Sequence, residues 1–241
     1  MTYCVGLLLN DGMVLLSDTR TNAGLDNIAT YRKMFTFEEP GERVVVILTA
    51  GSLSITQTTV AELREAIENP EATPETSILL APTMLKVAEI VGSALARVRQ
   101  SVDDRLAAMR QGASASMIVA GQRRGGAMRM FLIYPEGNFI EATEDTPFLQ
   151  IGEHKYGKPI LDRVVRRSTS LADAQKAVLL SMDSTLRSNL SVGMPLDLAV
   201  IPAGECRVAF TRRFEAGDRD FARISAAWSK ALRDSFAKIR I

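Results

Sequence analysis

The sequence has few of the residues that identify disulfide-rich and metal-binding proteins. Its 241 residues include only two cysteines and one histidine. Two cysteines are too few for a disulfide framework, and Cys4 and Cys206 lack the partners of a metal site, so we interpret both as buried apolar residues. His154 accompanies neither metal ligands nor a nucleophile motif, so we assign it a structural or surface role. The sequence therefore predicts no metal and no other cofactor.

A strong charge of one sign is also absent. The 29 basic and 28 acidic residues leave a net charge of +1. The basic clusters are short and scattered along the chain: Arg123-Arg124, Arg166-Arg167 and Arg212-Arg213. Nucleic-acid binding usually needs a concentrated basic patch, so we predict no nucleic-acid partner.

Long apolar runs are missing too. No segment approaches the length needed to cross a bilayer, so we predict that the chain is not a membrane protein and has no membrane partner. Asn10, Asp11 and Asp18 interrupt the N-terminal apolar stretch, which therefore does not resemble a secretory signal. We expect a cytoplasmic protein.

The distribution of apolar residues predicts alternating blocks of strands and helices within one domain spanning residues 1–241. Strands are predicted at 3–9, 13–17, 30–37, 43–50, 115–120, 127–134, 139–142, 196–202 and 206–210. Helices are predicted at 55–68, 77–110 (long, or kinked near Pro82), 155–167, 171–186 and 221–239. Blocks of antiparallel strands between helix pairs predict an α+β fold, a four-layer α/β/β/α sandwich of two stacked antiparallel sheets.

The C-terminal extension, at about residues 218–241, carries an apolar stripe with helical spacing. The stripe consists of Phe221, Ile224, Ala227, Trp228, Leu232, Phe236 and Ile239. Such a stripe is too apolar to leave in water, so the helix covers either its own core or a neighbouring subunit.

Thr2 is the most informative single residue. Removal of Met1 would make it the N-terminus and would place a hydroxyl nucleophile and an α-amine of near-neutral pKa on one residue. Thr2 could then carry its own general base. A buried lysine beside an aspartate would lower the cost of forming the alkoxide, and Asp18 and Lys33 fit those roles.

Motifs are spread along most of the chain: Thr2, Asn10-Asp11-Gly12, Ser17-Asp18-Thr19-Arg20, Arg32-Lys33-Met34-Phe35, Ala50-Gly51-Ser52, Ser116 to Gly121, Tyr134 to Gly137, Gln150-Ile151-Gly152, Met182 to Asn189 and Asp197 to Ile201. Together they resemble the proteasome β-type family of N-terminal nucleophile hydrolases, and most of all its bacterial ancestral β-subunit branch, Anbu. The resemblance implies the N-terminal nucleophile hydrolase type of sandwich.

The resemblance also implies roles for individual residues. The backbone N–H of Gly51 would be the oxyanion donor. Asp183 and a following serine would hold the α-amine of Thr2, and both Ser188 and Ser184 compete for the serine's role. The family's Gly-Ser-Gly turn is matched by Gly152-Glu153-His154, so a glutamate replaces a serine that positions the amine.

These observations predict a threonine peptidase that cleaves peptides or unfolded proteins through an acyl-enzyme and works as a homo-oligomer. Two alternatives remain open: an amidase acting on a non-peptide amide, with Thr21, Met34 and Ser52 as candidates for lining its pocket, and a catalytically weak assembly scaffold. The sequence also leaves open whether the ring closes and whether an ATP-driven unfoldase docks on it.

Overall fold

The computed structural model describes residues 1–22, 28–106 and 112–240. Two five-stranded antiparallel sheets dominate these ranges. The first sheet has the strand order β10 (Phe148–Gly152), β1 (Tyr3–Leu8), β2 (Gly12–Asp18), β11 (Leu196–Pro202), β12 (Phe210–Phe214). The second has the order β5 (Met34–Glu39), β6 (Arg43–Gly51), β7 (Ala115–Arg123), β8 (Arg129–Ile133), β9 (Phe139–Glu141). A two-stranded ribbon, β3 (Arg20–Asn22) with β4 (Ile28–Thr30), stands apart.

The alternation of side chains along the strands separates two apolar layers. In β2, Leu15 packs between the two sheets, whereas Leu16 belongs to the layer between the first sheet and its helices. Successive strand residues point to opposite faces, so a strand made almost wholly of apolar residues can serve both layers. Every residue of β1 and β2 is buried.

Helices cover the outer face of each sheet. On the second sheet lie α1 (Leu53–Glu68) and α2 (Met84–Leu106), and on the first lie α3 (Lys158–Val164) and α4 (Leu171–Ser188). The hydroxyl of Ser170 accepts a 3.2 Å hydrogen bond from the Asp173 N–H, which confirms it as the N-cap of α4. The order of layers is helix, sheet, sheet, helix, and the predicted α+β sandwich is confirmed.

Several sequence predictions were wrong in their bounds. The helix predicted at 155–167 spans only Lys158–Val164. The strand predicted at 30–37 is interrupted at residues 31–33, which connect β4 to β5. The helix predicted at 77–110 begins only at Met84, because Pro82 disfavours helical geometry in the residue before it; the predicted end lies outside the described residues. The last strand is Phe210–Phe214 rather than 206–210, since Cys206 has a positive φ of 49° and lies in the connection.

The C-terminal helix α5 (Arg219–Phe236) has two different halves. Its first turn packs on the first sheet, where Phe221 meets the ring of Phe214 edge-on at 6.2 Å between centroids. Beyond Lys230 every described residue is exposed, including Leu232 and Phe236. Within the described ranges, no helix combines the length and apolar character of a membrane span.

Candidate active site

Thr2 lies where β1 begins, at the mouth of the space between the two sheets. Tyr3 points into the layer beneath the helices, and Cys4 points between the sheets. By the period of two, Thr2 shares the side of Cys4. The residue is only 7% exposed.

Asp18 and Lys33 form a buried ion pair next to this residue. The Lys33 Nζ lies 2.8 Å from Asp18 Oδ1, and the two residues are 4% and 0% exposed. The same ammonium donates to the carbonyl of Arg20 at 2.5 Å and to the carbonyl of Met1 at 3.5 Å. The last contact brings the lysine to the peptide bond that joins Met1 to Thr2. Three of the residues predicted from sequence are therefore neighbours in space.

The surroundings of Asp18 supply several hydrogen bonds. Its Oδ1 also accepts from the Tyr3 N–H at 3.1 Å, and its Oδ2 accepts from the Gly193 N–H at 3.2 Å. Burial raises the pKa of Asp18, while Lys33 and these donors act in the opposite direction. The carboxylate therefore depends on its partners to remain ionised.

The residues after Asp18 hold the loop between α4 and β11. The Thr19 hydroxyl donates to the Pro195 carbonyl at 2.7 Å, and the Arg20 Nη1 donates to the Leu190 carbonyl at 3.0 Å. A Cβ on Gly193 would lie 2.1 Å from the Arg20 Nε, so a larger residue there would require the Arg20 side chain to move. The sequence analysis missed Gly193. Gly193 comes close to Asp18 only in the folded chain, and no local sequence pattern indicates this contact.

Gly51 separates two cavities at the mouth between the sheets. It is exposed, its φ is +106°, and a Cβ there would lie 2.3 Å from the Ser114 carbonyl oxygen. The first cavity, of about 440 Å³, is lined by Met1, Thr2, Thr21, Lys33, Thr49, Ala50, Gly51, Ser52, Leu53 and Thr56. Thr21 and Ser52 thus line it as expected, whereas Met34 does not.

Asp183 and the two candidate serines all belong to the end of α4. Asp183 is 5% exposed, and its Oδ2 lies 3.1 Å from the Arg187 Nε. Ser184 is half-buried, and Ser188 is exposed on the last residue of the helix. Among the described contacts, Asp183 is hydrogen-bonded to Arg187 and not to Met1 or Thr2. The structure does not bring these residues into contact with Thr2 as it does Asp18 and Lys33.

Glu153 lies opposite Thr2. Tyr3 pairs with Gly152 in the β1–β10 register, so Thr2 stands across from Glu153 one residue further on. The Glu153 N–H donates to the Thr2 carbonyl at 2.7 Å. The ladder ends at Gly152, whose φ is +80°, so Glu153 contacts Thr2 through this backbone bond. Glu153 is 9% exposed and is thus a buried acid next to Thr2.

Tyr3 is a second residue that the sequence analysis missed. Besides its backbone bond to Asp18, its hydroxyl lies 2.6 Å from both Ser181 Oγ and Gln150 Nε2. Burial raises the pKa of Tyr3 to about 12, so the phenol stays protonated. The tyrosine connects β1 to α4 and β10 immediately behind Thr2. Its position next to Thr2 could have marked Tyr3 as a site residue, but its hydrogen-bond partners are distant in sequence and could not be predicted.

Other reactive groups lie outside this arrangement. Both cysteines are buried, and burial raises the pKa of the Cys4 thiol, so the sulfur stays protonated and unreactive. His154 is exposed. In the part of the chain that the structure describes, no three His, Cys, Asp or Glu side chains are grouped so as to hold a metal ion.

Comparison with known proteins places this geometry in a family. The family model described as "Proteasome subunit" matches residues 2–201 of the chain. The chain belongs to the proteasome subunit family. Among curated proteins, no sequence matches it.

Solved structures narrow the relationship to the Anbu branch of the proteasome family. An Anbu (Gly-1) mutant from Hyphomicrobium sp. strain MC1 is 48% identical, with a TM-score of 0.92 and coverage of 100% of this chain and 99% of that one. Anbu (ancestral beta-subunit) from Yersinia bercovieri is 40% identical, with a TM-score of 0.91 and coverage of 99% and 98%. A helical assembly of the Anbu complex from Pseudomonas aeruginosa is 44% identical, with a TM-score of 0.92 and coverage of 99% and 97%.

Proposed function

We propose that this protein is a threonine-type peptidase whose nucleophile is Thr2, exposed by removal of Met1. The observation that carries the proposal is the position of the Lys33 ammonium, which is fixed by Asp18 and the Arg20 carbonyl and reaches the Met1 carbonyl at 3.5 Å. A buried, paired lysine beside an N-terminal threonine is the arrangement that this chemistry needs.

The reaction begins once the α-amine of Thr2 is free. The hydroxyl oxygen adds to the carbonyl carbon of the scissile amide while its proton passes to the α-amine, which acts as general base. The oxyanion is stabilised by the N–H of Gly51. The protonated amine then gives its proton to the departing amine, the C–N bond breaks, and an ester on Thr2 remains for water to hydrolyse.

In this proposal Lys33 acts through its charge. An ammonium has three protons to donate, and in the structure they face Asp18, Arg20 and Met1. When Met1 leaves, the proton that faced its carbonyl is free to stabilise negative charge on the Thr2 hydroxyl oxygen. Asp18 keeps the ammonium in place.

The α-amine needs its own partners. Asp183 with Ser188 or Ser184 remains our assignment by resemblance, and Arg187 holds the Asp183 carboxylate in the described chain. Glu153 is a buried acid whose own N–H donates to the Thr2 carbonyl. Its charge would favour the protonated form of the amine.

We also propose that the protein works in the cytoplasm as a homo-oligomer. The related protein from Pseudomonas aeruginosa is described as a helical assembly. Here the second half of α5 and the residues after it leave three large apolar side chains in water, with Leu232 50%, Phe236 79% and Ile239 72% exposed. A neighbouring subunit would bury this surface and restrict access to Thr2 to peptides and unfolded chains.

Hydrolysis of fluorogenic peptide amides tests the proposal. Material without Met1 should cleave them, Thr2→Ala should abolish cleavage, and Thr2→Ser should retain part of it because a hydroxyl remains. Cleavage by Thr2→Ala at the wild-type rate would refute the assignment of the nucleophile. Cleavage of small non-peptide amides alone would favour the amidase, and no turnover of either class would favour the scaffold.

A further inference from the structure

Tyr3 is a fully buried polar residue that the chemistry proposed above does not use. Its ring lies in the layer between the first sheet and the helices, on the opposite face of β1 from Cys4. The hydroxyl accepts a hydrogen bond from the Gln150 Nε2 at 2.6 Å, which leaves its own proton for the Ser181 Oγ, also at 2.6 Å. The side chains of Tyr3, Gln150 and Ser181, which we name the Tyr3 cluster, join β1, β10 and α4.

The turn between β10 and α3 is packed against the Tyr3 cluster. A Cβ on Gly157 would lie 2.7 Å from the Tyr3 Oη and would overlap the Ser181 Oγ, so a larger residue there would displace both hydroxyls. The Gln150 Nε2 also donates to the His154 carbonyl at 3.5 Å. The cluster therefore holds this turn at two points.

The same turn and Tyr3 itself supply two backbone hydrogen bonds that hold the start of β1. The Tyr3 N–H donates to Asp18 Oδ1 at 3.1 Å, and the Glu153 N–H donates to the Thr2 carbonyl at 2.7 Å. The first bond belongs to a residue of the Tyr3 cluster, and the second belongs to the turn that the cluster holds. Both bonds engage the backbone and leave the Thr2 hydroxyl free.

Thr2 depends on these bonds more strongly once Met1 is removed. A terminal residue has no preceding residue to hold it, and chain ends are poorly ordered unless they are tied down. Precise placement matters for the reaction, because a displacement of the reacting atoms by about 1 Å can reduce a rate by about a hundredfold. The groups that fix the backbone around Thr2 therefore affect its reactivity.

The Tyr3 hydroxyl has no direct route to a bound substrate. Tyr3 lines neither cavity beside Gly51: the first contains Thr2 and Lys33, and the second, of about 480 Å³, extends to Ile151 between the ends of the two sheets. Its hydroxyl lies under the helices instead, in contact with β10 and α4. An effect of this hydroxyl on the reaction must pass through the position of the backbone.

We propose that Tyr3 is a positioning residue whose hydroxyl, through Gln150 and Ser181, fixes the backbone around Thr2 and so sets the rate at which the Thr2 hydroxyl reacts. The proposal rests on the proposed function, because it takes Thr2 as the nucleophile. It predicts that loss of the Tyr3 hydroxyl slows the reaction and leaves the affinity for the substrate unchanged.

The rate at which a peptide epoxyketone labels Thr2 tests this in protein lacking Met1. Tyr3→Phe keeps the ring and removes one oxygen atom. We expect the first-order rate constant at saturating reagent to fall at least about tenfold, whereas the reagent concentration that gives half of that rate stays the same. Intact mass spectrometry follows the adduct over time, well below the Tm of each variant, so that unfolding does not contribute.

Two further variants separate the cluster from its surroundings. Ser181→Ala removes a second hydroxyl of the Tyr3 cluster and should also slow labelling. The double variant with Tyr3→Phe should be no slower than the slower single variant, because the side chains act as one unit. Tyr156→Phe is the matched control: it removes a phenol hydroxyl from the same turn, and among the described contacts that hydroxyl forms no hydrogen bond. It should keep the wild-type rate constant.

The outcomes separate this inference from the proposed function. A wild-type rate constant in both Tyr3→Phe and Ser181→Ala, even with a lowered Tm, would overturn the positioning role and leave the nucleophile intact. A change confined to the half-saturating concentration would overturn it as well. If Tyr3→Phe does not fold, Ser181→Ala alone decides. Failure of the wild-type protein to become labelled on Thr2 would overturn the proposed function, and the inference with it.

Discussion

The space around Thr2 and the end of α5 are opposites in their chemistry. At Thr2 two charges are buried, with Asp18 fully enclosed and Lys33 4% exposed. At the end of α5 apolar side chains stand in water, with Phe236 79% exposed. Burial of charge and exposure of hydrocarbon both cost stability, so neither is expected of a surface or core that serves folding alone. The buried charges at Thr2 indicate a catalytic role, and the exposed apolar side chains at the end of α5 indicate association with another chain.

Around Thr2, removal of the Lys33 side chain should have the largest effect. Lys33→Ala leaves the Asp18 carboxylate buried without its cation, and breaking a buried pair costs about 3–5 kcal/mol. We expect a clear fall in Tm by calorimetry and a loss of Thr2 acylation of at least about a hundredfold.

A double variant separates the two roles of the pair. Asp18→Asn with Lys33→Met removes both charges, so stability should recover in part while acylation does not. If Lys33→Ala unfolds at the wild-type temperature and acylates at the wild-type rate, the buried pair has neither role.

At the end of α5, Leu232→Glu combined with Phe236→Glu should prevent subunits from assembling and leave each subunit folded. Phe221 and Ile224, which pack on the subunit's own core, are untouched by this change. This test is cleaner than deleting the helix from Gly217, which would also uncover that core. Light scattering should report a smaller particle, and circular dichroism should report unchanged secondary structure.

Substitutions on the far side of the same helix provide the control. At 100° per residue, Arg223 lies across the helix from Leu232 and is not part of the apolar stripe. Arg223→Glu introduces the same kind of charge at an exposed position and should leave the molar mass unchanged. A wild-type molar mass in the Leu232/Phe236 variant would show that this stripe is not an interface.

A smaller effect is expected from Glu153. Glu153 is hydrogen-bonded to Thr2 through its backbone N–H, and its carboxylate should favour the α-ammonium and so keep the base protonated to higher pH. In Glu153→Gln the amine becomes neutral at lower pH, and the pH of half-maximal acylation should fall by roughly one unit or less. Glu144→Gln, an exposed acid outside the site, should leave the pH profile unchanged. An identical profile in Glu153→Gln would mean that this charge does not reach the amine.

Much of the fold could be predicted from the sequence because its signals are local. Turn residues at Asn10-Asp11-Gly12 and the N-cap at Ser170 mark boundaries that the structure confirms. The interruption at residues 31–33 was not predicted, because Tyr31, Arg32 and Lys33 include none of the usual turn residues, such as Gly, Pro, Asn or Asp. There the backbone leaves the strand so that Lys33 can reach Asp18.

The candidate site was likewise predictable in part. Thr2, Asp18 and Lys33 were found by motif, and the structure brings them together. Tyr3 and Gly193 were missed because their partners lie about 15 and 175 residues away from them, at a distance that no local pattern spans. The division of the space beside Gly51 into two cavities depends on both sheets at once and is visible only in the structure.

The central claim is that Thr2, once Met1 is removed, is the nucleophile, and intact mass spectrometry after treatment with a peptide epoxyketone tests it most directly. This reagent needs a hydroxyl and a free α-amine on one residue to form its ring adduct. We predict that wild-type protein lacks the mass of Met1 and gains one adduct per chain on Thr2, and that Thr2→Ala gains none. A wild-type chain that has lost Met1 and stays unlabelled, or a labelled Thr2→Ala chain, would contradict the account.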